Sequence, residues 1–257
     1  MRRILITSGK GGVGKTTLTA CIGRALARLG KRTVIVDLDF GLNNLDMALR
    51  AERLVTYDLA DVVCGRCRLK QALIIDEKQP NLLFLPSRRS ALAESISGQK
   101  IRAALAGLKP YADYVLLDCP AGMDLGFHRA ATAADEAIVV VTPSPLAVRD
   151  ADKVLSMLRS YGMKEARIAV NRVRGDLVAD GEMLPPAGIA KLLKAELYAA
   201  FPEDEALLVG KRESAEISKC ALLAAEAIVS GKPKCRNFTA KYCGFFGSIR
   251  RKIKRSV

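Results

Sequence analysis

A glycine-rich segment near the start of the chain has the residue types and spacing of a phosphate-binding loop. Residues 9–16 read G-K-G-G-V-G-K-T, which satisfies the pattern G-x-x-x-x-G-K-[ST] between a short apolar run and a helical pattern. Glycines let backbone N–H groups surround a phosphate, and the N-terminus of the following helix adds partial positive charge. We therefore expect Lys15 to reach the β- and γ-phosphates of a nucleotide and the Thr16 hydroxyl to bind Mg²⁺.

Three carboxylates follow strand-like runs further along the chain. Asp37 and Asp39 come at the end of the apolar run 33–36, and Asp118 follows the apolar run 114–117, as in a Walker B strand. Acids at the carboxyl ends of strands beside a phosphate loop are placed to hold Mg²⁺ or to orient the attacking water. The alternative is that these acids only form turns.

The elements that position these residues alternate along the chain, short apolar runs with longer helical patterns. This alternation predicts an α/β fold, a single domain over residues 1–231 with a mostly parallel, doubly wound sheet. The predicted strands are Ile4–Thr7, Thr33–Val36, Leu82–Leu85, Tyr114–Leu117, Ala137–Val141, Arg167–Val170 and Leu197–Phe201. The predicted helices are Lys15–Leu29, Ser97–Leu108, Leu125–Ala133, Leu146–Tyr161, Gly188–Lys194 and Ser214–Ser230.

The positive charge of the chain is concentrated at its end. The formal net charge is +14, and residues 232–257 contain nine basic residues and no acid, which leaves a surplus of five on the preceding domain. We interpret residues 232–241 as a polar linker and residues 242–257 as a basic amphipathic helix that binds anionic membrane lipid. Its apolar face holds Tyr242, Phe245, Phe246, Ile249 and Ile253, and its basic side holds Arg250, Arg251, Lys252 and Lys254.

Two other interpretations of this tail remain open. The helix could dock on its own domain with a solvated charged face, although the polar linker argues against tight docking. Nucleic-acid binding is disfavoured, because phenylalanines aligned on one face gain nothing from a phosphate backbone. Aromatic residues make up only 5% of the chain, so stacking platforms for single-stranded nucleic acid are also scarce.

Other function classes are excluded by composition and spacing. Half of the residues are hydrophobic, which excludes wholesale disorder, yet no apolar stretch is long enough to predict a membrane span. The seven cysteines are scattered, and the single C-x-x-C at residues 64–67 has no second pair at metal-site spacing. Reduced thiols in the cytosol are therefore expected, and an iron–sulphur carrier of related fold is disfavoured.

Several motifs together resemble one family. Residues 9–17 are similar to the deviant Walker A loop of the MinD/ParA ATPases, and the G-L-N-N-L-D of residues 41–46 and D-C-P-A-G of residues 118–122 narrow the resemblance to the MinD family. The resemblance covers nearly the whole chain. It implies an ATP hydrolase that uses Mg²⁺ and is slow without a membrane or partner.

The resemblance also assigns roles to individual residues. Lys10 would cross a nucleotide-sandwiched dimer to the partner's phosphates, Asp39 would align the hydrolytic water, and Asn44 would support that water across the dimer. The implied catalytic residues are Lys10, Lys15, Asp39 and Asn44, and the implied metal ligands are Thr16, Asp37 and Asp118. The implied nucleotide-binding residues are Gly9, Lys10, Gly11, Gly12, Val13, Gly14, Lys15, Thr16, Thr17, Asn171, Arg172 and Pro202.

Two of these assignments have simpler alternatives. Asn171, whose amide suits adenine, could merely end a strand. Asp150 and Asp152 correspond to the partner-binding helix of the family, but acids at a helix start also complement the helix dipole.

As a whole, the resemblance implies a cytoplasmic homodimer that forms on ATP and lies peripherally on the inner face of the membrane. It would recruit a MinC-like inhibitor of division-ring assembly, with a MinE-like activator where one exists, and bind no specific nucleic acid. The chain departs from the family pattern at two places. Residues 210–215 read G-K-R-E-S-A instead of the family's A-S-N-x-G-x-P-like stretch, and the tail has its phenylalanines early and its basic cluster late. The alternatives are a ParA-like DNA-partitioning ATPase, which needs basic residues on the domain itself, and a flagellar-number relative, which commonly has an extension before the loop.

Overall fold

A computed structural model of the 257-residue chain describes residues 1–41, 44–49, 51–88, 96–163, 165–208 and 213–243. Its strands are β1 (Arg2–Thr7), β2 (Thr33–Asp37), β3 (Ile74–Asp76), β4 (Gln79–Leu85), β5 (Tyr114–Asp118), β6 (Glu136–Val141), β7 (Ala166–Val173) and β8 (Leu197–Pro202). Its longer helices are α1 (Lys15–Arg28), α5 (Gly98–Ala106), α6 (Leu125–Ala133), α7 (Pro145–Ser160), α9 (Pro186–Leu193) and α11 (Ala215–Ser230). Its short helices are α2 (Asn44–Leu49), α3 (Leu59–Val63), α4 (Leu69–Ala72), α8 (Gly175–Ala179) and α10 (Glu205–Leu208), with 3₁₀ turns at Glu52–Leu54 and Ala240–Tyr242.

The described strands form one eight-stranded sheet in the order β3-β4-β2-β5-β1-β6-β7-β8. All neighbouring pairs are parallel except β3 and β4. Strands β2 to β5 lie on one side of β1 in the sheet, and strands β6 to β8 lie on the other side. The carboxyl end of β1 therefore lies at the point where the strand order reverses, which is where α/β sheets bind ligands.

Apolar side chains cover both faces of the sheet and bury it between two helical layers. One core cluster packs α1 and α11 against one face through residues such as Ile22 and Ala224. The other packs α5, α6, α7 and α9 against the opposite face through residues such as Phe127 and Leu155. Because both faces are covered, β2 and β6 are continuously buried, which explains their apolar runs at residues 34–36 and 137–141.

The predicted fold class is confirmed, and every strand predicted from the sequence forms. The sequence pattern does not predict β3, a three-residue antiparallel edge strand whose Ile75 is 61% exposed. Nor does it predict the short helices, because four to six residues carry too little periodicity to be distinguished from a loop.

The segment of residues 232–243, called the strap below, contacts the domain mainly through Phe238 and Tyr242, and most of its other residues are exposed. The predicted bounds of the linker (232–241) and of the tail helix (242–257) stay predictions. Phe238 contacts both core clusters, and Tyr242 is buried in the 3₁₀ turn at Ala240–Tyr242. Lys241 Nζ lies 3.3 Å from the Glu216 carboxylate of α11. Tyr242, placed by the sequence on the apolar face of the tail, is thus occupied with its own domain.

The remaining tail lies outside the described residues, so its membrane role stays a prediction. The positions concerned are Phe245, Phe246, Ile249, Arg250, Arg251, Lys252, Ile253 and Lys254. Within the part of the chain that the structure describes, no helix has the length and apolar character needed to cross a membrane.

An ion-pair cluster at the amino ends of the strands gives a test of fold stability. The Glu136 carboxylate accepts hydrogen bonds from Arg2 Nε at 2.6 Å and Arg2 Nη2 at 2.7 Å, and Arg167 Nη1 lies 3.3 Å away. We expect Glu136→Gln to lower the free energy of unfolding by about 1–3 kcal/mol, because it removes the charge that these two guanidinium groups share. Urea unfolding followed by circular dichroism measures the change.

Asp113→Asn is the matched control, because the Arg32–Asp113 pair is far more exposed. We expect a smaller loss there, since water screens exposed pairs. Equal losses in both variants would show that burial of the Glu136 cluster adds nothing to stability.

Candidate nucleotide site

The predicted phosphate loop connects β1 to α1 at the carboxyl edge of the sheet. Gly12 and Gly14 have φ values of 75° and 97°, in the left-handed region that favours glycine. Among the described residues, no side chain caps the N-terminus of α1, so its first backbone N–H groups remain available to an anion. Lys15 opens this helix and is only 7% exposed. The local structure is therefore that of a phosphate-binding loop.

The carboxyl end of β7 holds this loop from the side. Asn171 Nδ2 donates to the Val13 carbonyl at 2.8 Å, and Arg172 Nη2 donates to the Gly12 carbonyl at 2.8 Å. A Cβ on Gly14 would overlap Asn171 Nδ2. The Asn171 amide thus closes the loop, and its role at the adenine base stays a prediction.

Buried carboxylates lie directly behind the loop. Thr16 Oγ1 donates to Asp118 Oδ2 at 2.7 Å, and Thr19 Oγ1 lies 3.1 Å from Asp118 Oδ1. Asp37 is the register partner of Asp118 in the neighbouring strand and accepts a hydrogen bond from the Asp39 N–H at 2.8 Å. The structure therefore brings the three predicted metal ligands, Thr16, Asp37 and Asp118, to one place.

Burial strongly affects these two acids. It raises the pKa of Asp118 to about 6, against the hydrogen bonds from Thr16 and Thr19 and the charge of Lys15. Burial, with the charge of Asp118 next in importance, raises the pKa of Asp37 well above its ordinary value. A hard divalent cation would offset the cost of burying two carboxylates beside a hydroxyl. The oxygen ligands present therefore fit Mg²⁺.

The described residues do not supply a complete metal cage. Among the described residues, no group of three or more His, Cys, Asp or Glu side chains could hold a metal ion. Mg²⁺ generally keeps several waters and takes phosphate oxygens besides one or two carboxylates, so this arrangement suits a metal that arrives with a nucleotide.

A cavity of about 440 Å³ opens beside the loop. The predicted site residues that line it are Gly11, Gly12, Gly14, Lys15, Thr16, Thr17, Asp39, Asn171, Arg172 and Pro202. It extends from the loop to the end of β8, which gives it room for phosphates at one end and a base at the other. Gly9, Lys10, Val13, Asp37 and Asp118 do not line it.

The four predicted catalytic residues occupy different surroundings. Lys15 is buried, whereas Lys10 is exposed on the loop, where the Ser8 hydroxyl donates to the Lys10 carbonyl oxygen at 2.8 Å. Asp39 lines the cavity and its Oδ1 accepts the Gly41 N–H at 3.0 Å. The backbone of Asn44 starts α2, and its side chain lies outside the described part of the chain.

The two predicted partner residues on α7 point to different environments. A Cβ on Gly9 would come within 2.6 Å of both Asp150 Cβ and the Asp150 carbonyl oxygen. Asp150 therefore packs against the start of the phosphate loop, and its carboxylate lies 3.7 Å from Lys153 Nζ. Asp152 is exposed to solvent.

Several further residues line the cavity without having been assigned a role from the sequence. They are Leu18, Ala48, Cys119, Ala121, Glu203, Asp204, Leu207 and Ile217. Cys119 and Ala121 belong to the D-C-P-A-G motif of residues 118–122, and Glu203 and Asp204 follow Pro202 at the carboxyl end of β8, where ligands of α/β sheets bind. No local signal marks Ile217, which belongs to α11 and reaches the cavity only through tertiary packing.

A phosphate loop between the first strand and helix, with buried acids ending the two strands beside it, defines a P-loop nucleoside triphosphatase. The profile of a family described as AAA domain matches residues 1–168. The septum site-determining protein MinD of Synechocystis sp. is 41% identical over 208 residues, which span 81% of this chain and 78% of that protein. The chain belongs to the MinD family of ATPases, and the resemblance seen in the sequence is confirmed.

Solved structures agree with this assignment. The chain resembles a structure titled as the MinC:MinD cell division protein complex of Aquifex aeolicus, with a TM-score of 0.82, 36% identity and coverage of 92% of this chain and 98% of that one. It also resembles MinD complexed with Mg-ADP from Pyrococcus horikoshii, with a TM-score of 0.78, 29% identity and coverage of 90% and 97%.

The raised pKa of Asp118 predicts a measurable stability cost in protein without nucleotide or Mg²⁺. Between about pH 4 and 6 the folded protein holds a proton that the unfolded chain releases, so stability falls as the pH rises through this range. At pH 7 we expect Asp118→Asn to unfold at a higher urea concentration than the parent. Its free energy of unfolding should be about 1–3 kcal/mol larger. The difference should shrink below about pH 4, where the parent carboxyl is also neutral.

Urea titrations in EDTA at several pH values measure this difference, with Asp152→Asn as the exposed control that should change little. A less stable Asp118→Asn protein at pH 7 would mean that the hydroxyl contacts of the charged carboxylate outweigh its burial.

Proposed function

We propose that this ATPase dimerises on ATP, binds the inner face of the membrane and recruits a MinC-like inhibitor of division-ring assembly to place the septum. The observation that carries the proposal is the intact phosphate loop, with exposed Lys10 and buried Lys15, in a chain 39–46% identical to MinD proteins over about four-fifths of its length. The complex named for Aquifex aeolicus supports a MinC-like partner.

ATP would bind with its phosphates on the loop and its base between Asn171 and Pro202. Lys15 and the N-terminal N–H groups of α1 would hold the β- and γ-phosphates. Thr16, Asp37 and Asp118 would hold Mg²⁺, directly or through water, and the metal would neutralise charge on the phosphate oxygens. Asp39, at the cavity wall, would orient the water that attacks the γ-phosphorus and yields ADP and phosphate.

Lys10 would complete the site from a second copy of the chain. Its exposure on the loop supports this role, because a lysine directed into its own cavity would be shielded from a partner. A cation that arrives only on dimerisation would stabilise the transition state as an arginine finger does. Asn44 of the partner subunit would support the attacking water. Hydrolysis would then depend on the dimer.

The basic tail would link dimerisation to the membrane. Each cationic side chain near an anionic surface contributes about 1 kcal/mol, and ordering the helix subtracts from the sum. One tail would therefore bind weakly, whereas the two tails of a dimer bind together with avidity. Hydrolysis would dissolve the dimer and release the protein. Exposed Asp152 is the proposed contact for the inhibitor and for any MinE-like activator.

Cosedimentation with vesicles tests the proposal. Full-length protein should pellet with vesicles of phosphatidylglycerol and phosphatidylcholine in ATP, and at least about five-fold less in ADP or without nucleotide, because two tails act together only in the dimer. A chain that ends at Cys243 keeps every described element of the domain and should remain in the supernatant.

Two controls sharpen this experiment. Lys10→Ala should still bind ATP but hydrolyse it more slowly on vesicles, and pure phosphatidylcholine should retain little protein. Equal binding in all nucleotide states would break the link between dimerisation and the membrane. Retention on DNA instead of vesicles would favour a partitioning ATPase.

A further inference from the structure

The strap is held on the domain at one close backbone contact. A Cβ on Gly175, the first residue of α8, would overlap the Phe238 carbonyl oxygen, and it would lie 2.8 Å from the Phe238 carbonyl carbon and 3.1 Å from Tyr242 Cε2. The Phe238 side chain also packs against both core clusters, and Tyr242 is 7% exposed. The strap and α8 therefore fit together only because residue 175 has no side chain.

The helix α8 follows directly after the strand that closes the phosphate loop. Asn171 and Arg172 belong to β7, and their side chains bond to the carbonyls of Val13 and Gly12. Two residues separate Arg172 from Gly175, and Arg172 has a φ of 59°, an unusual conformation for a non-glycine residue. Surrounding structure must hold such a conformation, and the strap packs on the helix that begins three positions later.

Arg174 connects the same turn to the far end of the cavity. Its guanidinium makes two hydrogen bonds to buried Asp176, at 2.6 and 3.0 Å, and lies 3.7 Å from the Glu203 carboxylate. Glu203 lines the cavity, and its backbone N–H donates to the Val173 carbonyl at 3.1 Å. The turn below the strap is therefore tied to the predicted adenine end of the site.

The helix α11 forms a second connection between the strap and the cavity. Glu216 in its first turn lies 3.3 Å from Lys241 Nζ and 4.0 Å from Arg236 Nη1 of the strap. The next residue, Ile217, lines the cavity. The strap thus contacts two elements, α8 and α11, each within a few residues of the cavity wall.

We propose that Phe238 and Tyr242 are positioning residues of the nucleotide site. The docked strap holds α8 and the start of α11 in the arrangement in which Asn171 and Arg172 close the loop and Ile217 and Glu203 shape the cavity. Releasing the strap lowers nucleotide affinity. By thermodynamic reciprocity, bound nucleotide in turn holds the strap more tightly. This inference rests on nucleotide binding in the cavity and needs neither membrane nor partner.

Gly175→Ala in the full chain tests the inference, because it displaces the strap without touching the cavity and is otherwise compatible with a helix. We expect the Kd for Mg-ADP, measured by calorimetry, to rise about five- to ten-fold, at the lower end of known site-to-site couplings. The matched control is Gly188→Ala in α9, whose new Cβ would lie 3.4 Å from Pro185 Cγ in ordinary contact. Its Kd should stay within about two-fold of the parent.

Limited trypsin digestion supplies a readout that general loss of stability does not reproduce. The strap contains Lys234, Arg236 and Lys241, and mass spectrometry identifies cleavage after each of them. In the parent, Mg-ADP should slow strap cleavage by the same factor by which docking strengthens binding. In Gly175→Ala, strap cleavage should be fast and less sensitive to ADP.

Phe238→Ala repeats the test without a new group on α8, and Phe238→Leu should restore affinity because it restores most of the apolar contact. Circular dichroism confirms that each variant is folded. If a folded variant with a released strap binds Mg-ADP as tightly as the parent, the inference is wrong. It is equally wrong if ADP leaves strap cleavage in the parent unchanged. Neither result bears on vesicle binding, because no membrane is present.

Discussion

The approach of β7 to the phosphate loop is the contact on which the rest of the site depends. The Asn171 amide occupies the space where a side chain at residue 14 would lie, and it bonds to Val13 across a sequence separation of 158 residues. Arg172 repeats the bond one residue earlier in the loop, at Gly12. Because the same strand end borders the cavity, the phosphate end and the base end of the site are held as one unit.

The site holds two carboxyl groups at a depth where globular cores seldom place ionisable side chains. Asp37 and Asp118 are 1% and 2% exposed, and hydroxyl, backbone amide and lysine groups oppose their desolvation. Such an arrangement costs stability in the absence of a cation, and the extensive apolar packing on both faces of the sheet offsets it. Binding of metal and nucleotide would recover part of that cost, which makes the loop region sensitive to its ligand.

The strap changes how the end of the chain relates to the domain. If the linker made no contact with the domain, nucleotide binding could affect the tail only by changing the oligomeric state. A segment that packs on α8 and α11 and carries Tyr242 in the interior ends at Cys243 in a defined place on the domain. The point from which the basic tail continues is therefore set by the elements that border the nucleotide cavity.

Local sequence determined the phosphate loop, the strands around it and the acids at their ends, because each depends on residue types within a few positions of one another. The roles proposed for Lys15, Thr16, Asp37 and Asp118 rest on that local pattern and on the family resemblance, and the structure brings these residues together. Tertiary structure alone decided that Asn171 closes the loop, that Asp150 packs on Gly9, that Ile217 reaches the cavity and that Tyr242 is buried. These contacts join residues far apart in the chain, and their geometry is set by how helices pack on the sheet, which no short stretch of sequence encodes.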